Sequence, residues 1–220
     1  SVSFVEKLLN KNLFVHINLT KNLPISSGMG GGSSNAATVL LCLIEMFNLN
    51  FKEDFYQSLF SLGADIPFCF FRKSALVTGK GENVLKIQNN YQNFFVLLVN
   101  PLIEISTKKI FEKLTIPTKR DSNIFNEKFL DKTKIIDFLN SRNNDLEKPA
   151  ISECKEIKNI LDVFENETNS LLSRMTGSGS TCFALFKNQD DLSGAEKIFR
   201  KKFKNFWVKK TKIVNSFESL

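Results

Sequence analysis

The chain has 220 residues, 42% of them apolar, with 30 basic and 23 acidic side chains and a formal net charge of +7. That content supports a packed core in one large or two small domains and excludes a disordered chain, and no apolar run is long enough to span a bilayer. One histidine and four cysteines without a C-x-x-C pair leave zinc without a ligand set, and lysines scattered among acids describe a solvated surface rather than a nucleic-acid face.

Even the densest basic run, Arg200-Lys201-Lys202 with Lys204, Lys209 and Lys210, reads as such a face, with modest salt-sensitive help in gathering anionic nucleotides. Cys42, Cys69, Cys154 and Cys182 lie far apart in apolar segments, where each packs as a small hydrophobe. With no signal-peptide layout at Ser1, a soluble cytoplasmic protein with reduced thiols and no membrane partner is expected.

In chain order, Ser1 opens what reads as a helix, and Leu13 to Leu19 alternates apolar with polar side chains, which predicts a strand with His16 on its surface. A glycine-rich run follows. Ala36 to Phe47 then has no glycine or proline and a broad apolar face, predicting a buried helix with Ser33 or Ser34 near its N-cap. Phe51 to Leu62 reads as a second helix stopped by Gly63, and Ile66 to Phe71 as the start of a buried strand, so Asp65 falls at a junction. Ala75 to Thr78 and Asn83 to Ile87 form a predicted hairpin around Gly79-Lys80-Gly81.

The polar stretch Asn89 to Asn93 before Phe94 to Val99 marks a boundary between domains 1–93 and 94–220. Beyond it come a strand to Asn100-Pro101, a helix over Ser106 to Leu114, and a Lys/Asn-rich stretch to Arg142 without a readable pattern. Asp145 to Phe164 reads mainly as helix, Leu171 to Met175 and Thr181 to Phe186 as strands, Asp191 to Phe203 as helix and Phe206 to Val214 as a last strand. The elements lack the regular βαβ beat of a doubly wound sheet, so the fold class expected is α+β, and the 22 phenylalanines are read as core.

The run Pro24-Ile25-Ser26-Ser27-Gly28-Met29-Gly30-Gly31-Gly32-Ser33-Ser34-Asn35-Ala-Ala carries the chemistry. Glycines permit φ > 0 and let successive backbone N–H groups converge on one point, and the following helix offers unpaired N–H groups and the positive end of its dipole. No lysine follows as in a Walker A loop, and Ser33 stands where a dinucleotide fingerprint needs its last glycine. From the residues alone, a turn capped by Ser33 or Ser34 without any ligand stays open beside a triphosphate site.

The wider pattern P-x-x-x-G-M-G-G-G-S-S-N-A-A resembles the ATP loop of the GHMP kinase superfamily, in the triple-glycine form of its 4-diphosphocytidyl-2-C-methyl-D-erythritol kinases. Three further segments match in order. Leu62-Gly63-Ala64-Asp65-Ile66-Pro67-Phe68 resembles the segment with the catalytic aspartate, Asn144-Asp145-Leu146-Glu147 the N-D-L-E, and Met175-Thr176-Gly177-Ser178-Gly179-Ser180 the late glycine loop. The resemblance runs from Val2 to about Val214. It implies a two-domain GHMP-type architecture with the ATP loop between a strand and a buried helix. It further implies ATP and Mg²⁺ as cofactors, and phosphorylation of the 2-hydroxyl of a cytidine diphosphate-linked methylerythritol in non-mevalonate isoprenoid precursor synthesis.

By carry-over, Pro24 to Ser34 would hold the nucleotide, Ser33 or Ser34 would ligate Mg²⁺, and Asp65 would orient or deprotonate the acceptor hydroxyl, although turn and cap aspartates are common. Thr176, Gly177, Ser178 and Gly179 would close over substrate or phosphates, or form only a tight turn between two strands. Asn144 to Glu147 is read as a helix start with no catalytic task. The family's A-K-x-N-L and D-G-Y-H segments, with the catalytic lysine and cytidine contacts, do not occur in the chain. A fragment is therefore expected, either needing that segment in trans or surviving as a nucleotide-binding remnant; another GHMP kinase is disfavoured by the triple glycine.

Overall fold

The computed structural model describes residues 1–50, 53–86, 94–115 and 132–214. Its described residues form two compact units, one from Ser1–Asn22 with Gly30–Gln88, the other from Leu23–Met29 with Asn89–Asn215. The class is α+β, as composition and pattern indicated.

The first unit holds α1 (Val2–Leu9), α2 (Gly31–Met46), α3 (Glu53–Ser58) with a 3₁₀ turn over Leu59–Leu62, and α4 (Ile66–Phe71), followed by the antiparallel hairpin of β1 (Ala75–Thr78) and β2 (Asn83–Lys86). Its core gathers Val5, Ala37, Leu40, Leu43, Phe55, Leu59, Ile66 and Phe70. Each aliphatic side chain fully buried in such a cluster contributes roughly 1.5–3 kcal/mol. Phe55 and Phe70 meet edge-on at 5.9 Å, and Tyr56 stacks on Phe71 at 5.7 Å, so the apolar side of α4 is fastened to α3 by rings. α4 also packs along α2.

Four expectations change here. Leu13 to Leu19 is not a strand in the described structure. Leu13 is buried and Val15 half-buried, but Phe14 is 94% exposed and Ile17 and Leu19 are exposed; alternation defines a face, whereas a strand also needs a neighbouring backbone, and no described strand pairs with this run. Ile66 to Phe71 is helical, because Pro67 fits the first helical turn and a short apolar run carries no period that separates strand from helix. α2 begins at Gly31 with Gly30 as N-cap, so Ser33 and Ser34 lie inside its first turn. Cys42 is exposed rather than packed.

The second unit is built on a four-stranded, wholly antiparallel sheet of β3 (Phe95–Asn100), β4 (Leu172–Met175), β5 (Cys182–Phe186) and β6 (Trp207–Lys212), ordered β4-β5-β3-β6. Period-two alternation gives it two apolar faces. Leu97, Val99, Ala184, Phe186 and Val208 cluster with side chains of α8 (Glu156–Glu167) and α9 (Gln189–Lys202), where the rings of Phe164 and Phe199 are 4.4 Å apart. Phe94, Val96, Leu172 and Leu185 cluster instead with Ile135 of α6 (Lys132–Asn140). The short helices α5 (Thr107–Glu112) and α7 (Glu147–Glu153) complete the unit.

Local signals explain the borders. Asn188 caps α9 by accepting from the Asp191 N–H at 2.8 Å, with Asp190 and Asp191 in the first turn and Arg200, Lys201 and Lys202 in the last, the arrangement that complements a helix dipole. The basic run is thereby accounted for in part: Arg200 pairs with Glu196 at 3.0 Å, Lys210 with Glu196 at 2.7 Å, and Lys202 with Glu167. The stretch 116–131 lies outside the described residues.

Candidate functional site

In the first unit the site candidate is the head of α2. Gly30 takes the left-handed conformation (φ 64°), which turns the chain into the helix without any side-chain cap, and the first intrahelical bond runs from the Ser34 N–H to the Gly30 carbonyl at 2.8 Å. The N–H groups of Gly31, Gly32 and Ser33 precede that bond, so they are donors the helix itself leaves unsatisfied. No acidic side chain stands in the first turn to answer the dipole. A Cβ built on Gly30 or Gly32 would meet no heavy atom of the described protein within 4 Å beyond its immediate chain and helix neighbours. Ser33 is half-buried and Ser34 exposed, and neither hydroxyl is engaged by another described residue.

Asp65 belongs to the same unit and stands as N-cap of α4, exposed, at φ −89° and ψ −8°. A capping aspartate usually accepts from the second or third helical N–H. Here the second helical residue is Pro67, which has no N–H, and the Asp65 side chain makes no cap bond to the third. The carboxylate is therefore not consumed as a cap. Its charge acts on Cys69, one turn on, whose thiol is pushed up mainly by burial and further by Asp65. The turn of the hairpin abuts the residue before it, since a Cβ on Gly81 would stand 2.3 Å from the Ala64 carbonyl oxygen.

In the second unit the earlier half of the glycine-rich run meets the late loop. Ser26 and Gly28 both have positive φ (51° and 69°), and Ser27 is buried. The Thr181 N–H donates to the Ser27 carbonyl at 3.4 Å, and the Thr176 hydroxyl to the Gly28 carbonyl at 3.2 Å. A Cβ on Gly28 would lie 2.4 Å from the Thr176 oxygen, and one on Gly177 would lie 2.6 Å from the Gly28 oxygen. Pro24 is half-buried and Ile25 exposed; Thr107 shares a hydroxyl hydrogen bond with Ser178 at 2.9 Å. Thr176 to Ser180 is the turn between β4 and β5 and also the seat of Ser27 and Gly28.

Asn144 to Glu147 does more than begin a helix. The Asn144 amide donates to the Met175 carbonyl at 3.0 Å and to the Gly177 carbonyl at 2.8 Å, while its own oxygen accepts from the Leu146 N–H at 3.0 Å. Glu147 accepts from the Met175 N–H at 3.1 Å. The segment latches the late loop, a role that residue types alone conceal because Asn and Asp signal caps wherever they occur. His16 is exposed and shares a hydrogen bond with Asn18, and among the described residues no cluster of His, Cys, Asp or Glu could hold a metal ion. No helix of the described residues is long and apolar enough to cross a membrane.

Comparison with known proteins agrees with this layout. The family model for the GHMP kinase N-terminal domain matches residues 2–73, and that for the GHMP kinase C-terminal region matches 125–205. The 4-diphosphocytidyl-2-C-methyl-D-erythritol kinase of Clostridioides difficile (strain 630) is 37% identical over 88% of the chain and 66% of its own length. Those of Prochlorococcus marinus (strain MIT 9301) and Anaplasma phagocytophilum (strain HZ) are 36% and 31% identical, over 94% and 92% of the chain and 72% and 67% of their own lengths. The chain thus spans about two thirds of the length of these curated relatives. Among solved structures, a 4-(cytidine 5'-diphospho)-2C-methyl-D-erythritol kinase superposes with a TM-score of 0.71 at 23% identity, over 95% of the chain and 75% of its own. The homoserine kinase of Cytophaga hutchinsonii gives the same TM-score at 15% identity, over 98% and 74%. With both domain models matched in order and relatives of this identity aligned along most of its length, the chain belongs to the GHMP kinases, in the family of the 4-diphosphocytidyl-2-C-methyl-D-erythritol kinases.

Proposed function

We propose that the chain carries the nucleotide loop and the acceptor-side carboxylate of a kinase that transfers the γ-phosphoryl group of ATP to the 2-hydroxyl of 4-diphosphocytidyl-2-C-methyl-D-erythritol, in non-mevalonate isoprenoid precursor synthesis. The observation that carries the reading is Gly32. A glycine inside a helix costs about 1 kcal/mol relative to alanine, yet no described residue needs the space its missing side chain leaves. A ligand approaching the backbone supplies the reason that the fold does not.

Phosphoryl transfer asks the protein chiefly for position and for charge neutralisation. In this reading the N–H groups of Gly31, Gly32 and Ser33, which the helix leaves unsatisfied, hold β- and γ-phosphate oxygens, and the α2 dipole adds about 0.3–1 kcal/mol per favourable contact. The Ser33 or Ser34 hydroxyl would hold the Mg²⁺ that accompanies the nucleotide, and the ion would offset phosphate charge. Asp65 orients the acceptor alcohol and receives its proton as the alcohol oxygen bonds to the γ-phosphorus and the bond to the β–γ bridging oxygen breaks, releasing ADP. Residues 1–93 form the nucleotide-binding part and 94–220 the C-terminal part of this enzyme. Its four free cysteines suit the reducing cytoplasm.

A coupled ADP-release assay with the cytidylyl substrate tests the reading. Asp65→Asn is expected to lower kcat by at least about 100-fold, the low end of a general-base contribution, with ATP affinity unchanged. Unchanged turnover would remove Asp65 from the chemistry. A second reading, a nucleotide binder that turns over only when a further segment is supplied, is favoured by the run from Leu13 to Leu19, which presents Phe14, Ile17 and Leu19 to solvent without a ladder among the described residues. Adding a chain with the A-K-x-N-L segment to the same assay separates the two: turnover by the bare chain rejects the second reading.

A further inference from the structure

Asn100, the last residue of β3, is 1% exposed and takes no part in the chemistry above. Its side-chain oxygen accepts from the Leu102 N–H at 2.7 Å, and a backbone N–H can only donate, so the amide orientation is fixed. The amide nitrogen must then face the other way, and it donates to the Thr181 hydroxyl at 2.8 Å and to the Ser180 hydroxyl at 3.4 Å. Ser180, also 1% exposed, passes its own proton to the Ile103 carbonyl at 2.7 Å. Thr181, fully buried, donates its backbone N–H to the Ser27 carbonyl and accepts from the Thr176 N–H at 2.9 Å through its own. Every link lies in the second unit.

The Asn100 amide is engaged at its oxygen and its nitrogen, the Ser180 hydroxyl both accepts and donates, and the Thr181 hydroxyl accepts from Asn100. Two features show that the network is aimed at the nucleotide run rather than at the sheet. β3 and β5 are already joined through Val99 and Cys182, so the sheet does not need Asn100 to set its register. The network also ends on Ser27, whose neighbour Gly28 has no room to move: a Cβ there would stand 2.7 Å from both the nitrogen and the oxygen of Gly179. Hydrogen bonds between buried polar side chains favour one geometry, and removing one partner loosens it.

We propose that Asn100 is a positioning residue for ATP binding: through Thr181 and Ser180 it holds the Ser27–Gly28 backbone in the conformation from which the Gly28 and Met29 N–H groups meet the triphosphate. The inference rests on the reading of Pro24 to Ser34 as the triphosphate loop. Loss of the Asn100–Thr181 bond loosens the loop without touching the nucleoside, so it weakens ATP and leaves adenosine unaffected.

The test uses the full chain, with ATP affinity measured by calorimetry and adenosine affinity by NMR titration. Thr181→Val, which keeps the shape and removes the acceptor, is expected to weaken ATP at least tenfold and to change adenosine less than twofold. Thr181→Ser, which restores the hydroxyl, is expected to recover most of the loss. Asn100→Ala, which removes the amide donor together with the acceptor for Leu102, should weaken ATP at least as much as Thr181→Val, and the double variant should bind no worse than Asn100→Ala alone. In the wild-type chain, saturating ATP should slow hydrogen exchange at the Gly28 and Thr181 amides, a readout that stands even if a variant fails to fold. Variants that bind ATP as the wild type does, an equal loss for adenosine, or exchange at those amides indifferent to ATP would each overturn the assignment. A wild-type chain that binds adenosine but gains nothing from the triphosphate would instead defeat the loop reading itself.

Discussion

The two glycine runs look alike in sequence and differ in what their glycines are for. In the late loop and at Gly28, the places where side chains would go are filled by the protein: Gly28 faces Thr176 and Gly179, Gly177 faces Gly28, and Gly179 faces Met175 at 2.6 Å. At Gly30 and Gly32 nothing in the described protein fills them. The first set are glycines the fold requires; Gly32 is a glycine the fold pays for without using. The difference divides a single stretch of chain into a seat packed against the fold and an edge left open by it.

Gly28→Ala gives the largest effect and attacks the seat. The added Cβ would meet backbone atoms that cannot swing aside, at a φ that alanine tolerates poorly, and a loss of roughly 3 kcal/mol is expected by urea unfolding. A well-tolerated alanine would erase the contrast. Gly32→Val probes the edge. Stability should stay within about 1 kcal/mol, while ATP affinity falls at least tenfold, or about 1.4 kcal/mol, by calorimetry. Equal nucleotide binding would return Gly32 to a merely structural role.

Asn144→Ala sharpens the comparison by unlatching the late loop from below. It removes bonds to Met175 and Gly177, at a cost of about 1 kcal/mol in unfolding, and should weaken ATP less than Gly32→Val does. The smallest effect is expected far from either loop, at Glu196. Lys210 first, and Arg200 after it, hold its carboxyl below the ordinary 4.5. A carboxylate depressed on folding stabilises above its unfolded pKa, and that benefit fades as pH falls through the folded value. Glu196→Gln should therefore lower the melting temperature slightly near neutrality, by well under about 1 kcal/mol in free energy. The difference should disappear in acid; a gap that persists there would mean the pair acts through packing.

Much of this architecture was legible from pattern. The hairpin, β3 to β6, α5, α8 and α9 lie where alternation, helical period and capping residues place them, because those signals are local. Where partners at long range decide, the reading went astray. Ile66 to Phe71 is apolar in either conformation, and only the proline hinted at helix. Leu13 to Leu19 has the alternation of a strand and no described neighbour to make it one. The glycine run and Asp65 could be singled out from sequence, but the reason Asp65 is not spent as a cap emerges only when Pro67 is seen as the second residue of α4. Asn100 gave no signal, and Asn144 was singled out only as part of a helix start, since an asparagine at a strand end or before a helix is ordinary until its amide is seen to reach across more than thirty residues of sequence.

Among the described residues β6 lies at one border of its sheet, and it carries Lys209, Lys210 and Lys212 within six residues. An unprotected sheet border invites another copy to add on; Lys210 is paired with Glu196, but the exposed Lys209 and Lys212 place like charges where such a copy would approach. Part of the chain's positive excess is thus placed where it opposes edge-to-edge pairing of two copies.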